Sequence, residues 1–142
     1  MQYLRSILAI SSFALITGCA GGLNSIQNAE YAHFEAAGLT VEEKSPGAGA
    51  VLGLLPGGGS FYGREYGYGA VNLLFWPLSI LWDPISGYNA SKAINYYTTK
   101  QHVKKLENKE MSALEEKLTL GQIDTAGFSV ERRKIEQKYN PN

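Results

Sequence analysis

Between positions 46 and 69 the chain places a glycine at nearly every helical turn, and between 66 and 82 it carries no Asp, Glu, Lys or Arg. A glycine inside a helix costs about 1 kcal/mol relative to alanine. Such a segment holds together only where the missing Cβ lets another backbone sit close. Gly49, Gly53 and Gly57, then Gly59, Gly63 and Gly67, recur at four-residue spacing, which lays them along one flat helix face. The uncharged run 66–82 is 17 residues, at the lower limit of roughly 17–25 for a membrane-crossing helix. The apolar stretch 48–55 is too short to cross alone.

Prolines divide this region. Pro56-Gly57-Gly58-Gly59 is the expected turn of a helical hairpin, because proline ends the first arm and glycines admit positive φ. Pro77 should kink the second arm near Leu73 to Trp76 or split it in two, and Asp83 reads as a cap for the next segment. Arg64 and Glu65 are expected at an interface or in a local pair. Tyr62, Tyr66, Trp76 and Trp82 flank the apolar runs, as amphipathic rings do at a membrane–water boundary. A soluble glycine-rich core with aromatic packing is the competing explanation. The membrane-associated hairpin accounts for the glycine spacing and the ring placement together.

The N-terminus has one positive charge, Arg5, then an apolar run over 7–16 and small residues before Cys19, the chain's one cysteine. That order describes a secretory signal. Ile16-Thr17-Gly18-Cys19 resembles the bacterial lipobox. The resemblance implies cleavage between Gly18 and Cys19 and a thiol carrying diacylglycerol or palmitate. A buried thiol in an ordinary signal or core helix is the alternative. Each acyl methylene adds about 0.8 kcal/mol of membrane affinity, and two or more chains anchor stably. In the lipoproteins this resembles, the residue after the cysteine influences sorting, and the resemblance implies that Ala20 favours the periplasmic face of the outer membrane over the inner membrane.

Composition excludes several function classes. Formal net charge is zero, which offers no footprint for nucleic acid. A lone cysteine allows no disulfide framework. His33 and His102 stand far apart without a Cys or Asp cluster, so no metal is expected. The stretch 58–65 has the outer glycine spacing of a phosphate loop but lacks its lysine and Ser/Thr. Ser60 has no nucleophile elbow. Adjacent Glu42-Glu43 and Glu115-Glu116 point apart and make no acid/base pair. No cofactor and no enzymatic activity are expected.

The expected architecture is mainly α, in four parts: a signal peptide 1–18; an acylated tether with a short helix, 19–45; a glycine-, proline- and aromatic-rich membrane-associated hairpin, 46–97; and a charged amphipathic helical hairpin, 98–142. The tether is expected to be irregular and flexible over 20–30. Ser25 is a candidate cap for a helix with Ile26, Ala29, Ala32 or His33, and Ala36 on its packed side, and Gly38 is a stop. In the tail, Gly121 is a stop and Asp124 or Thr125 a second cap, with Phe128, Ile135 and Tyr139 on one side.

Two resemblances add to this. Leu55-Pro56-Gly57-Gly58-Gly59-Ser60-Phe61-Tyr62, followed by Asn72-Leu73-Leu74-Phe75-Trp76-Pro77, resembles the two-transmembrane-helix domain of bacterial envelope proteins. Leu114, Leu118, Gly121-Gln122-Ile123-Asp124, Phe128 and Arg132-Arg133-Lys134-Ile135 resemble the short C-terminal domain (SHOCT) family, which implies oligomerisation or docking. The resulting expectation is a non-enzymatic cell-envelope lipoprotein. It contacts membrane lipid through acylated Cys19, has a membrane-associated hairpin, and assembles with itself or an envelope partner through its tail. The alternative is a lipid-anchored periplasmic binding module whose aromatic groove takes a glycan, peptide or lipid.

Overall fold

The computed structural model describes residues 22–140. Gly18, Cys19 and the signal segment therefore lie outside the described residues. Among those residues the fold is mainly α, with helices α1 (Ser25–Ala36), α2 (Pro46–Leu52), α3 (Gly58–Tyr62), α4 (Tyr66–Leu74), a 3-10 turn (Leu78–Leu81), α5 (Asp83–Thr119) and α6 (Thr125–Tyr139).

Helix α5 is the spine. At 37 residues it is about 55 Å long, and the other helices pack along it, α4 touching it through the Asn72–Asp83 hydrogen bond. Its N-terminal third receives α2, α3 and the 3-10 turn, its middle receives α1, and its C-terminal half receives α6. A boundary at 97/98 falls inside this one helix.

Local chemistry sets the ends. Asn24, not Ser25, caps α1: its side chain accepts from Gln27 N at 2.9 Å and its own N–H donates to Gln27 Oε1 at 3.0 Å. Gly38 (φ 67) then closes α1, with Leu39 N–H bonded to Phe34 O. Gly121 (φ 69) ends α5 in the same way, with Gln122 N–H bonded to Lys117 O. Asp124 caps α6 through Gly127 N at 2.7 Å.

The packed side of α1 differs from its expected one. Tyr31 and Phe34 are buried and Ile26 is exposed. The alanine-centred stripe offers little area, whereas the two rings reach α5, where Tyr31 meets Tyr96 edge-on at 6.2 Å. The stretch 20–30 is not an irregular tether beyond Asn24. Asn28 Oδ1 accepts from Lys92, and Gln27 Nε2 donates to Tyr97, so the start of the described chain is fastened to the spine.

The apolar core lies between α1, α5 and α6: Phe34, Val103 and Tyr139, flanked by Leu39, Leu106 and Ile135. It holds the tail hairpin. The glycine-rich region has a different interior.

Candidate functional site

The first half of that region consists of glycine backbones set against the start of α5. Gly49 on α2 and Gly53 just past its end face Gly87 and Pro84, and Gly59 on α3 faces Asp83. A Cβ on Gly59 would stand 2.5 Å from Asp83 O, one on Gly87 2.7 Å from Gly59 Cα, and one on Gly63 2.5 Å from Ala90 Cβ. These are closer than real carbon contacts, so the fold requires glycine at each place. Two members of the expected face do other work. Gly57 takes the left-handed turn (φ 69), and Gly67 has open space around it.

The expected turn is shifted as a result. Positions 53–57 form the reversal, while Gly58 and Gly59 already belong to α3. The second arm is split, as Pro77 requires: α4 ends at Leu74 and a 3-10 turn begins at Leu78. The region is a stack of short helical pieces, not two long arms. No helix among the described residues is long and apolar enough to cross a membrane.

Asp83 lies at the centre. Its carboxylate accepts from Gly59 N and Ser60 N, each at 3.0 Å, from Ser60 Oγ at 2.5 Å and from Asn72 Nδ2 at 2.7 Å. Asn72 Oδ1 in turn accepts from Trp82 Nε1 at 2.8 Å. Asp83 does begin α5, yet its side chain caps the start of α3, whose own N-cap residue, Gly57, has no side chain to do so. The backbone donors that a phosphate loop would offer to an anion are thus already taken by an internal carboxylate.

Asp83 is 0 % exposed, Ser60 and Asn72 are 1 % and Ser79 is 0 %. Directly over this polar, glycine-lined interior the surface is apolar. Positions 73–78 (Leu-Leu-Phe-Trp-Pro-Leu) are all exposed, Leu74 at 81 % and Leu78 at 61 %, and Leu81 follows at 76 %. Asp83 is the one Asp, Glu, Lys or Arg between Glu65 and Lys92, and it is hidden. This end of the molecule is built inside out: small and polar groups within, leucine, phenylalanine and tryptophan without. Proteins dissolved in water normally reverse that order, and proteins in lipid adopt it.

The four ring positions have different surroundings. Tyr66 and Trp76 are open on the apolar surface, and Trp82 is exposed with its N–H turned inward to Asn72. Tyr62 is elsewhere: its hydroxyl accepts from Ser45 N, and Lys44 Nζ lies 4.4 Å from its ring centre. Arg64, in a left-handed conformation (φ 64), pairs with Glu43. A cavity of about 350 Å³ is lined by Tyr31, Glu35, Glu42, Tyr88, Lys92 and Asn95 among others, and none of Tyr62, Tyr66, Trp76 and Trp82 lines it.

Polar side chains of α5 fasten the segment 39–45. Asn95 Oδ1 accepts from Glu43 N and Lys44 N, and its amide donates to Lys44 O. Thr99 Oγ1 accepts from Val41 N at 2.9 Å. Asp83, Gly87, Ser91, Asn95, Thr99 and Val103 form one four-residue row, buried throughout. Sequence reasoning missed that row, whose one signal is small and polar residues at helical spacing, which apolar periodicity passes over.

Three glutamates are held below the ordinary carboxyl value of 4.5. At Glu30 burial pushes the other way, but donors from Tyr96 and Lys100 outweigh it. Glu43 is lowered by Thr98 and Arg64, and Glu110 by Lys138 and Tyr139. His33 and His102 belong to no metal cluster: no group of three or more His, Cys, Asp or Glu that could hold a metal ion occurs among the described residues. The chain matches no family model, no curated protein and no solved structure.

Proposed function

We propose that the protein is a non-enzymatic lipoprotein of the cell envelope, anchored through acylated Cys19, with a membrane-associated apolar end and a C-terminal assembly segment. The observation that carries this reading is the inside-out end: an uncharged surface of leucine, phenylalanine and tryptophan over a buried Asp83–Ser60–Asn72 network. The sealed carboxylate fits a structural part, since its bonds all run to the fold's own donors. The tail supplies a second surface. Leu120 and Val130 are exposed near the α5–α6 turn, and a cavity of about 520 Å³ opens between the two helices beside Leu114, Ile123 and Ile135.

Mass spectrometry of the product purified from its own membranes tests the anchor. The expected species begins at Cys19 and carries diacylglycerol. A product retaining residues 1–18, or a free thiol at position 19, refutes it. For the tail, Leu120→Glu with Val130→Glu is expected to reduce the size of any assembly measured by light scattering in detergent, and an unchanged size removes that role.

A further inference from the structure

The place where the described chain begins relates the anchor to the apolar end. Gly22 (φ 70) lies against Asn89 of α5: a Cβ there would stand 3.1 Å from Asn89 Cγ. Asn89 follows exposed Tyr88, is one helical turn past exposed Ile85, and lies within two turns of the start of α5, where Leu81 and Trp82 are exposed. Just after Gly22 the chain is fixed, because Leu23 O accepts from Asn28 Nδ2 and Asn28 Oδ1 accepts from Lys92 Nζ. Three residue steps separate Gly22 from Cys19, and a fully extended chain covers at most about 11 Å in three steps. A bilayer's hydrocarbon core is about 30 Å thick. An acylated Cys19 therefore stays beside the apolar end and cannot reach across to the far leaflet.

We infer that the apolar end around 73–81 inserts into the same lipid leaflet that holds the acyl chains, as a second and adjacent membrane contact. This rests on the reading of Cys19 as acylated. The occupant of the surface is lipid, for two reasons given by the geometry. The anchor brings the bilayer to within a few residues of this surface, and the segment from 66 to 91 presents no Asp, Glu, Lys or Arg side chain to its surroundings. With no crossing helix among the described residues, the contact is confined to one leaflet. It lies in the plane where an amphipathic element sits, roughly 5–10 Å into the boundary.

Both tryptophans of the chain, Trp76 and Trp82, lie on this surface, so their emission reports its contact without a label. The full acylated protein, its Cys19 mass verified, is placed in phosphatidylcholine vesicles whose chains are brominated. The expected result is loss of tryptophan emission in the protein's own vesicles, with little loss when only a second, protein-free vesicle population is brominated. Leu74→Glu with Leu78→Glu, at exposed positions that leave packing intact, is expected to restore the emission while the protein still floats with the vesicles. Quenching only by the second population, with vesicle clustering, would overturn the inference in favour of a bridge between two membranes. Flotation without quenching in either arrangement would overturn it too, and crosslinking between apolar ends would then identify a second copy as the occupant. An unmodified Cys19 would instead remove the anchor reading on which the inference stands.

Discussion

Four donors converge on the Asp83 carboxylate, so truncating it takes the acceptor from buried Gly59 N, Ser60 N and Ser60 Oγ and leaves Asn72 Nδ2 only its bond to Ser60 Oγ. Each such group costs roughly 1–3 kcal/mol, and Asp83→Ala is expected to lower stability by about 3 kcal/mol or more, read as the unfolding midpoint in mild detergent. Asp83→Asn keeps the volume but turns an N–H₂ group toward donors, and should also destabilise. A pair of glycine variants separates packing from flexibility. Gly87→Ala drives a methyl into Gly59 and Gly49 and should cost about 1–3 kcal/mol. Gly67→Ala meets open space inside α4 and should stabilise by roughly 0.5–1 kcal/mol. Equal effects at the two positions would contradict the close backbone packing. The lowered carboxyls of Glu30, Glu43 and Glu110 fix a sign for pH: their contribution is fully present above about 4.5 and is lost as pH falls through the lower folded values. The contacts of α1 and α6 with α5 should therefore loosen in acid, seen as amide protection factors there, corrected for the intrinsic exchange rate, that fall as pH drops below 4.5.

At the scale of elements, what was legible depended on which signal the sequence carries. Caps and stops were readable at Gly38, Gly121, Asp124 and Pro77, because each acts locally, the glycines and the proline through backbone geometry and Asp124 through a side chain that reaches Gly127 N. The spine was not. Helix α5 joins a sparsely charged stretch to a densely charged one, and a change of composition looks like a boundary although the backbone hydrogen bonds continue through it. Its row of Gly87, Ser91, Asn95 and Thr99 packs by closeness and polar bonds, which hydropathy does not register. The buried network was hidden for the same reason: Asn72 is a lone amide in an apolar run, and its partners Ser60 and Asp83 are 12 and 11 residues away. Asn95→Ala tests the row directly. It removes the acceptor of the Glu43 and Lys44 amides, so those two should exchange faster while the Phe34–Val103–Tyr139 core keeps its protection.

Over the whole molecule, polarity is divided along one helix. One end of α5 carries the apolar surface and the place where the chain leads back to Cys19. The other carries the charged α5–α6 hairpin, with Glu110 bound by Lys138 and Tyr139. Under the proposed acylation of Cys19, the apolar end would stay at the lipid and the tail hairpin would stand in water, where an assembly role requires it. The anchor alone would keep the protein on a membrane, so the apolar end has to be judged without it. With residues 1–19 replaced by an ordinary cleaved secretory signal, the exported protein carries no acyl chain. Alkaline carbonate washing of the cell membranes then isolates the contribution of the surface around Leu74 and Leu78. A substantial fraction is expected in the membrane pellet, shifting to the supernatant with Leu74→Glu and Leu78→Glu. Complete release of the unsubstituted protein would contradict the account.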